Sequence, residues 1–304
     1  MWGIEVGEIK AMAHARRNIT YLPEANFPDS LEVTTELDEA LENAEDVLIA
    51  VPSHAFRETL QRLKASRSPV RHLAWATKGF ETDSGLLPHQ VAAEVLDPSL
   101  PTAVISGPTF AAEVAAGLPR AVSIASTDKN NARRLAEAIS TETFRAYTAK
   151  DIVGVEVGGA TKNVLAIGAG ISDGLGFGAN TRIAMVTRGL MEMTRLGLAL
   201  GAEKDTFMGL SGMGDLVLTC TDNQSRNRRF GLELAKGANV EEARNAIGQV
   251  VEGYYAAKAV YKVATRLKVE MPIVEAVYRV LYEDLDPGDV LGELFGRSLK
   301  PEFA

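Results

Sequence analysis

Two lysines and one arginine cluster are the side chains in this sequence most able to do chemistry. Lys162 sits in Gly158-Gly159-Ala160-Thr161-Lys162-Asn163, which runs straight into the apolar stretch Val164-Leu165-Ala166-Ile167. A lysine among small residues at the edge of an apolar helix can be stripped of water, which lowers its pKa toward the range useful for proton transfer. A lysine that keeps its ammonium in solvent and lays its stem on apolar surface is the plainer reading of that position alone. Lys78, in Thr77-Lys78-Gly79, would bring a full positive charge to a loop, although a solvated loop lysine fits there too. Downstream, Gly212-Met213-Gly214-Asp215-Leu216-Val217-Leu218-Thr219-Cys220 is followed by Ser225-Arg226-Asn227-Arg228-Arg229. Three arginines in four residues make a compact anion site, because the planar guanidinium grips phosphate through two hydrogen bonds. For Arg228 and Arg229 a solvated helix face is the better reading.

These residues need elements to hold them. Val47-Leu48-Ile49-Ala50-Val51, Leu73-Ala74-Trp75-Ala76, Ala103-Val104-Ile105 and Ala121-Val122-Ser123-Ile124-Ala125 read as buried strands, with Phe144-Arg145-Ala146-Tyr147 a weaker one. Residues 36–44, 56–65 and 130–140 read as helices between them. Alternating strands and helices give an α/β class with a mostly parallel sheet. After about residue 150 the period changes. Ile183, Val186, Leu190 and Met193, then Ala257, Val260, Tyr261 and Ala264, then Ile273, Val277, Val280 and Leu281 all keep helical spacing. Two domains are therefore expected, 1–149 with the sheet and 150–304 all-helical, joined without a Pro/Gly-rich linker.

An open parallel sheet binds ligands beyond the carboxyl ends of its strands. Three such ends carry polar residues: Pro52-Ser53-His54, Thr77-Lys78-Gly79 and Ser106-Gly107-Pro108-Thr109-Phe110-Ala111. The last reads as a Gly-Pro turn opening a helix, whose free N–H groups favour an anion. An ordinary turn is the alternative.

Composition narrows the partners. The 304 residues carry 32 Lys+Arg against 40 Asp+Glu, a net charge of −8, which argues against nucleic acid and against an anionic membrane surface. Residues 163–180 are too polar and Gly-rich for an ordinary membrane span. The single cysteine, Cys220, allows no intrachain disulfide and reads as inert packing, and the four histidines form no triad or metal-ligand pattern. No metal is expected, and a reducing compartment fits.

Taken in order, the motifs resemble those of the bacterial NAD(P)-dependent glycerol-3-phosphate dehydrogenases. The carrying segments are Val51-Pro52-Ser53, Trp75-Ala76-Thr77-Lys78-Gly79, Ile105-Ser106-Gly107-Pro108-Thr109-Phe110-Ala111 and Gly158-Gly159-Ala160-Thr161-Lys162-Asn163-Val164. Gly214-Asp215-Leu216 through Thr219-Cys220-Thr221, Asn223-Gln224-Ser225-Arg226-Asn227-Arg228-Arg229-Phe230-Gly231 and Gln249-Val250-Val251-Glu252-Gly253 continue it. The resemblance implies a Rossmann-type sheet domain, an all-α C-terminal domain, NAD or NADP as cofactor, a cytoplasmic homodimer, and interconversion of dihydroxyacetone phosphate and sn-glycerol 3-phosphate for phospholipid synthesis. By position it implies that Lys162 is the catalytic acid/base. It implies that Lys78, Gly107, Thr109, Lys162, Asp215, Ser225, Arg226 and Asn227 bind substrate, and that Lys78, Ala111, Arg226, Val250 and Glu252 touch the cofactor.

One family feature does not appear. The sequence holds no G-x-G-x-x-G; Gly168-Ala169-Gly170 imitates it, with its third glycine one residue late at Gly174. Met1-Trp2-Gly3 resembles the end of the family's second strand, so the first strand, its Gly-rich turn and helix and most of the second strand are expected to be missing. That loss leaves residues 32–35 without their neighbour and turns residues 47–51 into an exposed apolar edge. Either the natural protein carries the segment upstream, or a chain of this length binds dinucleotide poorly and is a phosphate-binding relic. A related hydroxy-acid dehydrogenase is the remaining alternative. Ile4 and Glu5 stand where the ribose is read, which leaves NAD or NADP open.

Overall fold

The computed structural model describes residues 1–296, 298, 301 and 302. The chain divides into two compact units, Met1–Thr77 with Pro88–Ile152, and Lys78–Leu87 with Val153–Ala304.

In the first unit α1 (Val6–Ala15) precedes a small antiparallel pair, β1 (Arg17–Asn18) and β2 (Leu22–Asn26), which no apolar periodicity announces. There follow α2 (Leu37–Leu41), β3 (Asp46–Ile49), α3 (Ser53–Ala65), β4 (His72–Trp75), α4 (Pro88–Val95) and β5 (Thr102–Ser106). Then come α5 (Ala111–Ala115), β6 (Arg120–Ala125), α6 (Lys129–Ile139) and β7 (Phe144–Ala149). The five strands β3 to β7 lie side by side in sequence order, parallel except where β5 meets β6. The expected mostly parallel α/β sheet is therefore present. Helix α3 shows why its segment packs: Phe56, Thr59, Leu60 and Leu63 fall on one buried stripe, and Phe56 meets Trp75 edge-on at 5.7 Å. At α6 the Asp128 carboxylate accepts the Asn130 N–H and caps the helix.

Three local expectations need revision. Residues 32–35 do have a neighbour, because Trp2 bridges Thr34 in parallel: the Gly3 N–H donates to Thr34 O at 3.2 Å and the Thr34 N–H to Met1 O at 2.9 Å. Extended backbone needs partners for its amides, and Met1-Trp2-Gly3 supplies them. The helix expected over 36–44 is only α2, Leu37–Leu41, with Asn43 turning out of helical geometry at φ 64. The helix opening after Ser106-Gly107-Pro108 is the five-residue α5, too short to build much of a dipole. The exposed edge is as expected: β3 borders the sheet and Leu48 is 57% exposed.

The second unit is helical apart from short tight turns. Its elements are α7 (Ile152–Gly174), α8 (Ala179–Ala199), a 3-10 turn (Lys204–Met208), a π turn (Leu210–Gly214), α9 (Asp215–Thr221) and α10 (Arg226–Ala235). Helices α11 (Val240–Ile247), α12 (Glu252–Leu267), α13 (Pro272–Tyr282) and α14 (Pro287–Phe295) complete it. Helix α7 is long and apolar enough to cross a membrane, at a mean hydropathy of 1.2, yet 94% of that window is buried as the core helix of this unit. The interior around it includes Val164, Ile167, Ile171, Met193, Phe207, Phe230, Val260 and Val277.

Helix α10 crosses α7 backbone to backbone. A Cβ at Gly170 would lie 2.1 Å from Arg228 O, and one at Gly231 would lie 2.2 Å from Ile167 O. Even one methyl cannot be accommodated there without moving a helix. Gly231→Ala is expected to lower the unfolding free energy by at least ~1–3 kcal/mol, the usual cost of overpacking. Gly292→Ala, where a Cβ meets nothing within 4 Å, should be neutral. Urea denaturation of the two variants beside the parent checks this.

Candidate functional site

The turn before Asp215 can reach α7 because Gly158 has no side chain: a Cβ there would lie 2.3 Å from Ser211 O. Lys162 lies one turn further along α7, and Asp215 opens α9 directly opposite. The Lys162 ammonium donates to Asp215 Oδ1 at 2.6 Å and to Thr219 Oγ1 at 3.2 Å. The Thr219 hydroxyl donates in turn to Asp215 O at 2.5 Å, so it accepts from the lysine. Lys78, on the segment that packs with the helical unit, donates to Asp215 Oδ2 at 2.6 Å. One carboxylate thus holds two ammonium groups, and the cluster carries a net positive charge.

Burial decides how this cluster titrates. Asp215 is 1% exposed and Lys162 8% exposed, so the solvent-held stem reading of Lys162 does not apply. Loss of water pushes the Lys162 pKa down to about 8; the Asp215 charge opposes that shift and the Lys78 charge adds to it. Burial alone would raise the Asp215 carboxyl, but the Lys162 and Lys78 charges hold it below the usual carboxylate range. Cys220, buried nearby, has its thiol pushed up to about 12 by burial and remains an unreactive packing group.

The remaining expected residues of this unit gather at the start of α10. Ser225 caps that helix, its hydroxyl oxygen accepting the Arg228 N–H at 3.2 Å while its O–H remains available as a donor. Arg226 is half-buried, with Nη1 donating to Gln249 Oε1 at 3.3 Å. Asn227 Oδ1 accepts the Gly253 N–H at 2.8 Å, which leaves its NH₂ for a ligand. Glu252, the first residue of α12, accepts from Asn163 Nδ2 at 3.3 Å, while Val250 is 48% exposed. In the other unit, Gly107 turns the chain at φ 149 after β5, and Thr109 Oγ1 donates to Gly107 O at 3.2 Å ahead of Ala111.

Sequence reasoning misread Arg228. It is 7% exposed rather than solvated, and its guanidinium is paired with Asp173 at 2.6 Å. The backbone at Arg228 lies against Gly170 of α7, one turn from Asp173 on the same helix. Thr219, Asn163 and Gln249 were missed as members of the site. Only Thr219 left a signal, its spacing of one helical turn from Asp215. A cavity of about 730 Å³ lies elsewhere, among Met185, Arg188, Met191, Arg195 and Ile273. The carboxylate on its wall, Glu192, accepts the Ile273 and Val274 N–H groups and so serves as a cap for α13.

Comparison with known proteins identifies the family. Residues 1–132 match the model of the NAD-dependent glycerol-3-phosphate dehydrogenase N-terminus, and residues 151–292 match that of the C-terminus. Glycerol-3-phosphate dehydrogenase [NAD(P)+] of Nitrosococcus oceani is 54% identical over 304 residues, covering 100% of this chain and 88% of that protein. The chain belongs to the NAD-dependent glycerol-3-phosphate dehydrogenase family. The Thioalkalivibrio sulfidiphilus member is also 54% identical, covering 100% of this chain and 91% of its own. The crystal structure of the Coxiella burnetii glycerol-3-phosphate dehydrogenase superposes with a TM-score of 0.94 at 46% identity, over 97% of this chain and 90% of that one. A D-mandelate dehydrogenase superposes with a TM-score of 0.60 at 11% identity over 95% of this chain and 90% of its own, which shows a shared fold and nothing about substrate.

Family membership brings NAD or NADP as cofactor. The first unit fits such a ligand in two respects. Strands β3, β4 and β5 are parallel and so end on one side of the sheet, where dinucleotides bind. After β3 the chain enters the 13-residue α3 through Pro52, which places the positive end of a helix dipole just beyond a strand end, where an anionic group is favoured. The 304 residues contain no G-x-G-x-x-G, and no residue is assigned to the pyrophosphate.

The site also carries a stability consequence. Asp215→Ala would leave two ammonium groups without their carboxylate, one of them buried, and is expected to cost ~3–5 kcal/mol. Lys162→Met should cost less, because Asp215 keeps Lys78 as a partner. Chemical denaturation of both variants gives the comparison.

Proposed function

We propose that this chain performs the family's reaction, the reversible reduction of dihydroxyacetone phosphate to sn-glycerol 3-phosphate, with Lys162 as proton donor and acceptor. NAD(P)H supplies the hydride, and the product serves phospholipid synthesis. In this reading residues 1–149 form the dinucleotide-binding domain and residues 150–304 the substrate and catalytic domain. The enzyme works in the cytoplasm, as a homodimer, on a small phosphate ester.

The observation that carries the assignment is a buried lysine with a pKa of about 8 held 2.6 Å from a carboxylate that a second lysine shares. Carbonyl reduction places negative charge on oxygen as hydride reaches carbon, and the Lys162 ammonium neutralises that charge by giving up a proton. In the oxidative direction neutral Lys162 takes the proton from the alcohol. Asp215 orients Lys162 and Lys78, and the net positive cluster stabilises the developing alkoxide. Arg226 takes the phosphate, with the Ser225 hydroxyl and the Asn227 NH₂ as further donors, while Gly107 and Thr109 line the substrate. Lys78, Ala111, Arg226, Val250 and Glu252 are assigned to the cofactor.

Turnover of dihydroxyacetone phosphate beside a series of 2-keto acids, with NADH and with NADPH, tests the substrate class; only the phosphate ester should be reduced. Lys162→Ala should lower kcat by ~10²–10⁴-fold while leaving dinucleotide affinity, read by calorimetric titration, unchanged. Near-normal turnover in that variant would remove Lys162 from the mechanism.

The pH profile has a definite sign. Reduction needs protonated Lys162 and should fall as pH rises through about 8, whereas oxidation needs the neutral amine and should rise over the same range. Because the Lys78 charge pushes the Lys162 pKa down, Lys78→Ala should move both limbs to higher pH.

A further inference from the structure

Asp173 and Arg228 form a buried ion pair that the proposed chemistry does not use. The Asp173 side chain is 9% exposed, near the carboxyl end of α7, and Arg228 lies in the first turn of α10. Arg228 Nη2 meets Asp173 Oδ2 at 2.6 Å, Arg182 Nη1 from α8 meets the same oxygen at 2.8 Å, and Arg228 Nη1 donates to Asn223 Oδ1. The pair therefore ties three helices and the turn before α10 to one carboxylate. Asp173 is eleven residues from Lys162, about three helical turns, so both side chains leave the same face of α7.

The consequence lies two residues before Arg228. Successive residues of a helix are turned by about 100°, so pinning Arg228 against α7 sends Arg226 to the far side of the same turn. Asn227, between them, is held by the Gly253 N–H. That contact lies beside Lys162: a Cβ on Gly253 would be 2.7 Å from Asn227 Oδ1 and 2.8 Å from Asn163 O. The direction of Arg226 relative to the Lys162 cluster is thus set by how α10 is rotated on α7. The Asp173 carboxylate fixes that rotation.

We propose that Asp173 is a positioning residue for phosphate recognition, acting through Arg228 to aim Arg226 at the phosphate of the substrate. This rests on the reading of Arg226 as the phosphate ligand. Glycines 170 and 231 set how close the two helices come, but close backbones can still roll. A buried ion pair between a planar fork and a carboxylate removes that freedom.

The full chain is titrated calorimetrically with sn-glycerol 3-phosphate as parent, Asp173→Asn, Arg226→Ala and the apolar double variant Asp173→Leu/Arg228→Met, with the thermal midpoint of each recorded. Asp173→Asn should weaken the phosphate ester by about tenfold. In turnover, KM for dihydroxyacetone phosphate should rise in step while kcat holds. The double variant should regain the midpoint, since apolar pairs commonly replace buried ion pairs without loss of stability, but not the affinity. Parent-like affinity in Asp173→Asn, or affinity that returns with the midpoint in the double variant, would overturn the proposal. Failure of both variants to fold would also overturn it, by assigning the pair to the fold alone. If Arg226→Ala binds like the parent, the phosphate reading of Arg226 fails; if it loses affinity while Asp173→Asn does not, only the positioning role fails.

Discussion

The helical unit is organised around one carboxylate. Asp215 is almost fully buried and would be expensive there alone, but two ammonium groups at 2.6 Å offset that cost. The exchange is mutual: Lys162 can be desolvated only because Asp215 is beside it, and it stays ionised to about pH 8 for the same reason. A proton held this loosely in a dry site is what carbonyl reduction requires. The start of α9 serves the same arrangement, since Thr219, one turn on from Asp215, takes a second hydrogen bond of Lys162 and leaves its third N–H to donate. The polar contacts of Asn163 with Glu252 and of Asn227 with Gly253 then fix α12 and α10 around that point.

One face of α7 makes this geometry possible. Gly158, Lys162, Ala166, Gly170 and Asp173 recur at intervals of three or four residues, so they form a single stripe along the helix. The glycines let the turn before α9 and the first turn of α10 approach to backbone distance, and the two charged residues between and beyond them fix what approaches. The mean hydropathy of α7 matches that of a membrane span, but this stripe is packed against protein and its charges are paired.

Much of this was legible in the sequence, and the gaps have physical causes. The strands of the sheet were visible as short apolar runs, and α8, α12 and α13 as helical periods, because burial imposes those spacings directly. The pair β1 and β2 was not visible, since a two-residue strand beside a largely exposed partner buries too little to shape composition. Lys162, Lys78 and Asp215 could each be picked out, but not their junction: Lys78 and Asp215 are 137 residues apart, and nothing in either segment names the other. Arg228 was misread for a related reason. A charge cluster looks solvated until the partner is known, and Asp173 lies 55 residues upstream. Gly170, 58 residues upstream, is what lets the backbone at Arg228 come this close to α7.

The two buried cations of this unit also show why lysine and arginine stand where they do. Lys162 and Arg228 are similarly buried, each is paired with an aspartate at 2.6 Å, and both aspartates lie on or against α7. Their tasks differ in one property. An ammonium can be moved toward neutrality by desolvation, as Lys162 is, whereas a guanidinium keeps its charge in any protein environment. An arginine at 162 could stabilise an oxyanion but could not hand it a proton. A lysine at 228 would lack the fork that reaches Asp173 and Asn223 together, and in so dry a position it would be free to lose its charge and with it the hold on α10. The unit thus places a removable proton at one end of the α7 stripe and a permanent charge at the other. In the proposed reaction the first position handles the proton, while the second holds the frame.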